Sequence, residues 1–301
     1  MTPIPSKFID TVTRVHGKTG EIWLENLDWL IAYCSDKWDF ELLQPYELSF
    51  NFVAPVLFKD NTRAVLKLGV STVEISREAS VLDAFGGTIF CQLIDSEPEK
   101  GILILEELSP GRPLSTITNE VQACQIATKL LIQLQSHEIS DPASYPSLLE
   151  RRNELEKLRR NFKGNTGPIP QYLVKNAETL FTELIKTVRR LQLFHGDFHH
   201  YNILSALGGE WKLIDPKGLL SETAFEITPF LMNNLEGKNM VETIRNRVAI
   251  FANELRISNQ RIIKWGAVQS IISLWWFIED GLDFDTHHLE IAKAFYELSV
   301  S

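Results

Sequence analysis

The 301-residue chain is poor in the features that define several large protein classes. It has three cysteines, Cys34, Cys91 and Cys124, set far apart and with no C-x-x-C pair. So sparse and odd a set argues against a disulfide framework or a cysteine zinc site. It suits a reducing compartment, which makes the cytoplasm the expected location. No apolar run is long. The most apolar one, Ala267 to Ile278, has 12 residues and includes Gln269 and Ser270. A bilayer span needs ~20, so this run is expected to be a buried helix. Met1 to Asp10 carries Pro3 and Pro5 and no apolar core, which does not read as a signal peptide. Basic residues are in deficit, 30 against 39 acidic ones, for a net charge of -9. Such a surface repels nucleic acid and anionic membrane and attracts cationic ligands, so neither nucleic acid nor membrane is an expected partner. Internal repeats and low-complexity tracts are missing as well. Nothing in the sequence speaks to oligomeric state.

What is present is an ordinary globular balance of 44% apolar and 23% charged residues. The length exceeds one compact core of typical size, so two parts are expected. Ile22, Trp23, Leu27, Leu30 and Ile31 have helical spacing within residues 19–35. A strand-rich stretch follows. Glu47 to Phe58 reads as two strands or one bent one, Lys59-Asp60-Asn61 as a turn, and Arg63 to Leu68 as a further strand. Ser71 to Phe85 reads as a helix stopped by Gly86-Gly87. Thr88 to Leu93 and Gly101 to Leu105 complete the expected sheet. The connector Ser109-Pro110-Gly111-Arg112-Pro113 separates this from long helical patterns at about 119–138, 147–162, 170–191, 238–256 and 259–280. Among those helices lies a strand-like insert, Asn202 to Leu213, broken at Gly208-Gly209. The expected division is 1–108, with a helical extension over 1–40, and 109–301. A cleft between two such parts is a natural ligand site.

The densest polar cluster is His195-Gly196-Asp197-Phe198-His199-His200-Tyr201-Asn202, set between apolar segments. Polar loops held by buried flanks are where catalytic groups tend to sit. Thirteen residues beyond Asn202 comes Asp215-Pro216-Lys217-Gly218. Pro216 biases Asp215 toward extended backbone, and Gly218 permits a sharp turn. Upstream, Lys67 is a lone charge in an apolar strand, a costly placement without a partner. Glu78 in the following helix is the natural partner, with Glu74 one turn earlier as the rival.

Asp197 and Asn202, five residues apart, resemble the catalytic loop of kinases, and Asp215-Pro216-Lys217-Gly218 resembles their metal-binding element. His-Gly-Asp followed by His199-His200 is similar to aminoglycoside phosphotransferases. The longer string through Leu-Ile-Asp-Pro-Lys-Gly most resembles the streptomycin 6-kinase and hydroxyurea phosphotransferase group, as does Leu274-Trp275-Trp276-Phe277-Ile278-Glu279-Asp280-Gly281. The resemblance covers residues 40 to 285 and is specific from 190 to 235.

It implies an α+β, bilobal protein-kinase-like fold with a small antiparallel-sheet lobe that binds nucleotide and a larger, mainly helical lobe that binds the acceptor. It implies ATP and Mg²⁺ as cofactors and a small hydroxyl acceptor, cationic if the substrate is an aminoglycoside. Asp197 would orient the acceptor hydroxyl and take its proton. Asn202 and Asp215 would supply hard oxygen ligands for Mg²⁺. His199, two residues after Asp197, would face the transferring phosphate, while His195 fixes the loop. Lys67 and Glu78 would form the strand–helix pair that holds the nucleotide phosphates. The backbone of Glu106 and Leu108 would meet the adenine edge. The phosphate-covering loop departs from the protein-kinase pattern: Glu47-Leu48-Ser49-Phe50-Asn51-Phe52 has no glycine, leaving Ser49 and Asn51 as donors or as plain strand packing. Glu279 and Asp280, with Asp283 and Asp285 nearby, are candidates for a cationic acceptor, against a solvated charge run. Trp265, Trp275 and Trp276 belong to the acceptor cleft or to the core.

Three alternatives stay open. One scaffold serves many acceptors, so a metabolic sugar or amino alcohol is one. The missing glycines allow a nucleotide-binding pseudokinase. The histidines superficially fit a metal-dependent hydrolase.

Overall fold

The computed structural model describes residues 4–137, 142–282 and 286–301. The chain separates into two compact units, Met1–Gly111 and Arg112–Ser301.

The first unit starts with α1 (Ser6–Trp38), kinked at Gly17, whose φ of 54° and ψ of -134° lie outside the helical region. Then come β1 (Phe40–Leu42), β2 (Phe52–Phe58), β3 (Arg63–Leu68), α2 (Thr72–Phe85), β4 (Leu93–Glu97) and β5 (Ile102–Glu106). The strands form one antiparallel sheet in the order β1-β2-β3-β5-β4. α1 is part of this core: Phe8, Leu27, Ile31 and Cys34 bury against Phe52, Ala54, Leu66 and Leu68 of the sheet. The β2–β3 turn falls at Asp60-Asn61, where the Asp60 carboxylate accepts from Thr62 N–H at 2.8 Å and Asn61 takes φ 66°. Ser71 caps α2 by accepting from Glu74 N–H, and Gly86 ends it in the left-handed region.

Two strand expectations are corrected. Residues 47–51 lie outside any strand, at the tip of the hairpin that β1 and β2 begin; Leu43 and Tyr46 still donate to Pro55 and Val53 across it. Residues 88–92 are also irregular. Ile89, Phe90 and Cys91 are buried, but the ladder with β5 starts only at Leu93.

The second unit is mainly helical. It holds α3 (Glu120–Ser136), α4 (Arg152–Asn161), α5 (Gln171–Ile185), β6 (Gln192–Phe194), β7 (Ile203–Ser205), β8 (Trp211–Leu213), β9 (Leu219–Ser221), α6 (Thr223–Glu226), α7 (Thr228–Met232), α8 (Met240–Leu255), α9 (Asn259–Glu279) and α10 (Thr286–Val300). α9 contains the expected buried run, with Trp265, Val268, Ile271 and Ile272 in the core, and packs on α5 and α10. The helix expected over 147–162 begins instead as a 3₁₀ turn, Leu148–Arg151, with a Ser147–Glu150 capping box. The one expected to reach 191 stops at Ile185, because Gln192–Phe194 pairs with β9. An antiparallel-sheet unit followed by a mainly helical one matches the α+β expectation. Among the described residues no helix is long and apolar enough to cross a membrane, and all three cysteines are buried thiols outside any disulfide.

Candidate active site

The first unit buries its one strand lysine. Lys67 is 5% exposed on β3, and its Nζ lies 2.6 Å from Glu78 Oε2 on α2. Glu74 sits exposed in the first turn of α2, so Glu78 is the partner. At the hairpin tip Ser49 is exposed and Asn51 is half-buried. A Cβ on Gly69, two residues past Lys67, would lie 2.9 Å from Asn51 Oδ1, so the asparagine packs against the end of β3. Glu106 is tied to Gln92 twice: its N–H donates to Gln92 O at 2.8 Å and its carboxylate accepts from Gln92 N–H at 2.9 Å. Leu108 is buried.

In the second unit two short strand pairs gather the polar cluster. β6 pairs with β9 so that Phe194 faces Leu219. β7 pairs with β8 so that Ile203 faces Leu213, and Ile214 N–H donates to Asn202 O at 3.0 Å. Asn202 therefore stands opposite the residue before Asp215. His195 fastens the two segments. Fully buried, it has its Nε2 2.7 Å from Ile214 O and accepts Asp197 N–H on Nδ1 at 3.1 Å. Its carbonyl accepts from Lys217 and Gly218 N–H at 2.8 and 3.0 Å. Burial pushes its pKa down to about 4 against the pull of the Asp197 charge, so it is a neutral staple at physiological pH. Gly196 takes φ 83°, and a Cβ there would meet Leu219 and Lys217 at 3.1 and 3.3 Å, so glycine is required on both counts.

Asp197 keeps 39% of its side chain exposed. Desolvation would raise its pKa, but the charge and hydrogen bond of His199, followed by His195 and Lys217, hold the carboxyl below the usual range. His199 accepts Tyr201 N–H on Nδ1 at 3.2 Å, and its Nε2 lies 3.2 Å from Asn202 Nδ2 and 3.4 Å from Asp197 Oδ2. Asn202 Nδ2 donates to Asp197 O at 3.0 Å, which frees its Oδ1. Asp215 takes the left-handed φ of 58°, not the extended backbone expected of a residue before proline, and Lys217 Nζ sits 3.0 Å from each of its carboxylate oxygens. A carboxylate and an amide oxygen brought together by one hairpin suit a hard divalent cation of the Mg²⁺ kind, and Asn202 and Asp215 are the residues that would hold it. The histidines do not converge on a metal. His195 is committed as above, and His200 is buried, stacked on Phe230 with centroids 3.8 Å apart. No cluster of three His, Cys, Asp or Glu occurs among the described residues.

Two contributors escaped the sequence reading. Glu226, 1% exposed on α6, accepts Gly196 N–H at 3.0 and 3.2 Å. An acid inside Ala-Phe-Glu-Ile was the available signal, since buried acids need partners. Arg247, fully buried on α8, holds Glu120 with two nitrogens and donates to the carbonyls of Phe230, Asn233 and Asn234. It thereby fixes the ring on which His200 stacks.

Of the acceptor candidates, Glu279 lines a 330 Å³ cavity with Lys157, Arg160, Asn161, Trp275 and Ile278. Burial raises its pKa, against the opposing charge of Lys157. Asp280 ends α9, and Asp283 and Asp285 lie outside the described residues. Trp265 is core and bonds Glu222. Arg151 lies over the Trp276 ring at 4.9 Å, and its charge also acts on Glu226.

A sheet unit with a buried lysine–glutamate pair, followed by a helical unit whose Asp–Asn loop is stapled to an Asp turn, is a phosphotransferase of the protein-kinase-like fold. The chain belongs to the aminoglycoside/hydroxyurea antibiotic resistance kinase family, whose sequence profile matches residues 44–281, and it is accordingly a kinase with an alcohol group as acceptor. It is 26% identical over 287 residues to streptomycin 6-kinase of Streptomyces griseus, covering 93% of this chain and 92% of that one. It is 24% identical to hydroxyurea phosphotransferase of Kitasatospora aureofaciens, covering 92% and 81%. Among solved structures it is similar to an aminoglycoside phosphotransferase in ternary complex with ADP and hygromycin B. That match has a TM-score of 0.70, 12% identity, and coverage of 90% of this chain and 98% of the other. A choline kinase from Streptococcus pneumoniae matches with TM-score 0.67, 14% identity, and coverage of 91% and 99%.

Proposed function

We propose that this chain transfers the γ-phosphate of ATP, bound with Mg²⁺, to a hydroxyl of a small cationic molecule, an aminoglycoside of the streptomycin kind, in the cytoplasm. One observation carries the reading: His195 holds the Asp197 loop and the Asp215 turn together through its ring and its carbonyl. The bound cation would neutralise phosphate charge from Asn202 and Asp215. Lys67, kept in place by Glu78, would pair with the nucleotide phosphates. With Glu106 N–H already engaged, the adenine edge would fall to Leu108 N–H, and Ser49 and Asn51 would approach the phosphates from the hairpin tip. Asp197, ionised because its pKa is lowered, orients the acceptor hydroxyl. As the hydroxyl oxygen bonds to the γ-phosphorus and the bond to ADP breaks, the hydroxyl proton passes to Asp197. A low-pKa carboxylate positions more than it deprotonates, which suits a reaction governed by placement and charge. His199 holds Asp197 through Nε2. Glu279 and Asp280 would take the acceptor's cationic groups.

The cavity at Glu279 also contains Lys157 and Arg160, and this mixed charge favours a second reading, a metabolic sugar or amino alcohol as acceptor. A coupled ADP-release assay over aminocyclitols, sugars and amino alcohols separates the two. Turnover with streptomycin alone supports the first, and silence on every antibiotic with turnover on a metabolite supports the second. Asp197→Ala should abolish transfer and leave nucleotide binding intact. Full activity in that variant rejects the assignment.

A further inference from the structure

The turn Asp215-Pro216-Lys217-Gly218 contains a cation that the reaction scheme above leaves unused. Lys217 Nζ lies at the same 3.0 Å from Oδ1 and Oδ2 of Asp215, so a primary ammonium spans the carboxylate that would receive the metal. The contact is built by backbone as well as by charge. Lys217 N–H and Gly218 N–H both bond the His195 carbonyl, and Asp215 adopts φ 58°, a left-handed conformation uncommon for a residue other than glycine. Lys217 is 39% exposed and Asp215 29%, so the ammonium is within reach of solvent and ligand. Its charge also acts on Asp197.

We propose that Lys217 is a tethered counter-cation: it occupies the Asp215 carboxylate until a divalent cation arrives, and then turns its ammonium to the transferring phosphate. The inference rests on the kinase reading. Its chemistry is that of a compact point charge on a flexible four-carbon stem. While Lys217 holds Asp215, the negative charge of that carboxylate is balanced by the ammonium. A divalent cation held by Asp215 would take over that task, and the ammonium would be released to meet phosphate charge. No proton is exchanged in the hand-over, and Lys217 remains an ammonium throughout.

The test compares wild type, Lys217→Met and Lys217→Arg. The affinity of a non-hydrolysable ATP analogue is titrated calorimetrically across Mg²⁺ concentrations, and steady-state turnover is measured on the same samples. Removing a competitor that holds the ligand most of the time should lower the half-saturating Mg²⁺ of Lys217→Met about tenfold. Losing a charge aimed at the transition state should lower its kcat about 100-fold, with acceptor KM little changed. Lys217→Arg keeps the competitor and should retain the wild-type Mg²⁺ dependence, which a folding defect would not. Unchanged Mg²⁺ half-saturation or unchanged kcat in Lys217→Met overturns the proposal. Wild type that binds no nucleotide overturns the kinase reading itself, a separate outcome.

Discussion

The backbone N–H of Gly196 donates to both carboxyl oxygens of Glu226, thirty residues further along the chain, at 3.0 and 3.2 Å. This bond anchors the residue just before Asp197 to the start of the α6–α7 segment. Glu226 is buried, and desolvation lifts its pKa well above the ordinary carboxylate value, although the Gly196 bond works in the opposite direction. The folded state therefore retains a proton that the unfolded chain gives up, and stability falls as pH rises from about 4.3 toward the folded value.

Glu226→Gln keeps the acceptor and removes the titration. It should match or exceed wild type in denaturation midpoint at pH 7 and keep kcat within a few-fold. Glu226→Ala takes the acceptor from the part-buried Gly196 N–H and should lower both the denaturation midpoint and kcat by releasing the loop. Urea melts and turnover on the two variants decide it. Equal losses in both would mean that the bond does not position Asp197.

The Lys67–Glu78 pair makes a second prediction, on stability and activity together. Both side chains are almost fully buried. Glu78→Gln removes the carboxylate charge 2.6 Å from the buried Lys67 ammonium; breaking a buried ion pair in this way costs about 3–5 kcal/mol, and the variant should show a raised nucleotide KM. A Lys67→Met, Glu78→Leu double variant replaces the pair with apolar volume and should recover most of the stability without activity. A double variant as unstable as the single one would refute this account of the pair.

Legibility followed the locality of the physics. Lys67 could be read because a lone charge in an apolar strand demands a partner, and the helix beginning at Thr72 was visible from its spacing and its Gly-Gly stop. Asp197, Asn202 and Asp215 stood out through their separations. Glu226 did not, because its burial depends on β6 and β9 pairing across 24 intervening residues, and three-residue strands show no periodicity. The partner of Lys217 is only two residues away, but the contact needs a left-handed Asp215, which no pattern of residue types demands. β1 is three residues long, and α10 begins beside the undescribed 283–285; neither was anticipated.

Two buried histidines make the last prediction, acid sensitivity without any exposed switch. Burial holds His195 at about 4 and His200 at about 3, both below the ~6.5 of an unfolded histidine. Between those limits the unfolded chain binds protons that the folded one refuses, so folded stability is complete above pH 6.5 and drains as pH falls toward 4. The shift at His195 is equivalent to on the order of 3 kcal/mol across that window. The two residues differ in what else they do. Both ring nitrogens of His195 are hydrogen-bonded, whereas His200 has no partner on either nitrogen among the described residues and stacks on Phe230. His200→Phe should therefore flatten the stability–pH profile between pH 6.5 and 4.5 without loss at pH 7.5. His195→Phe should destabilise at every pH, because Ile214 O and Asp197 N–H lose their partner. Chemical denaturation in steps of half a pH unit reads both, and a His200→Phe profile that runs parallel to wild type from pH 6.5 to 4.5 would show that this ring is not held neutral by its burial.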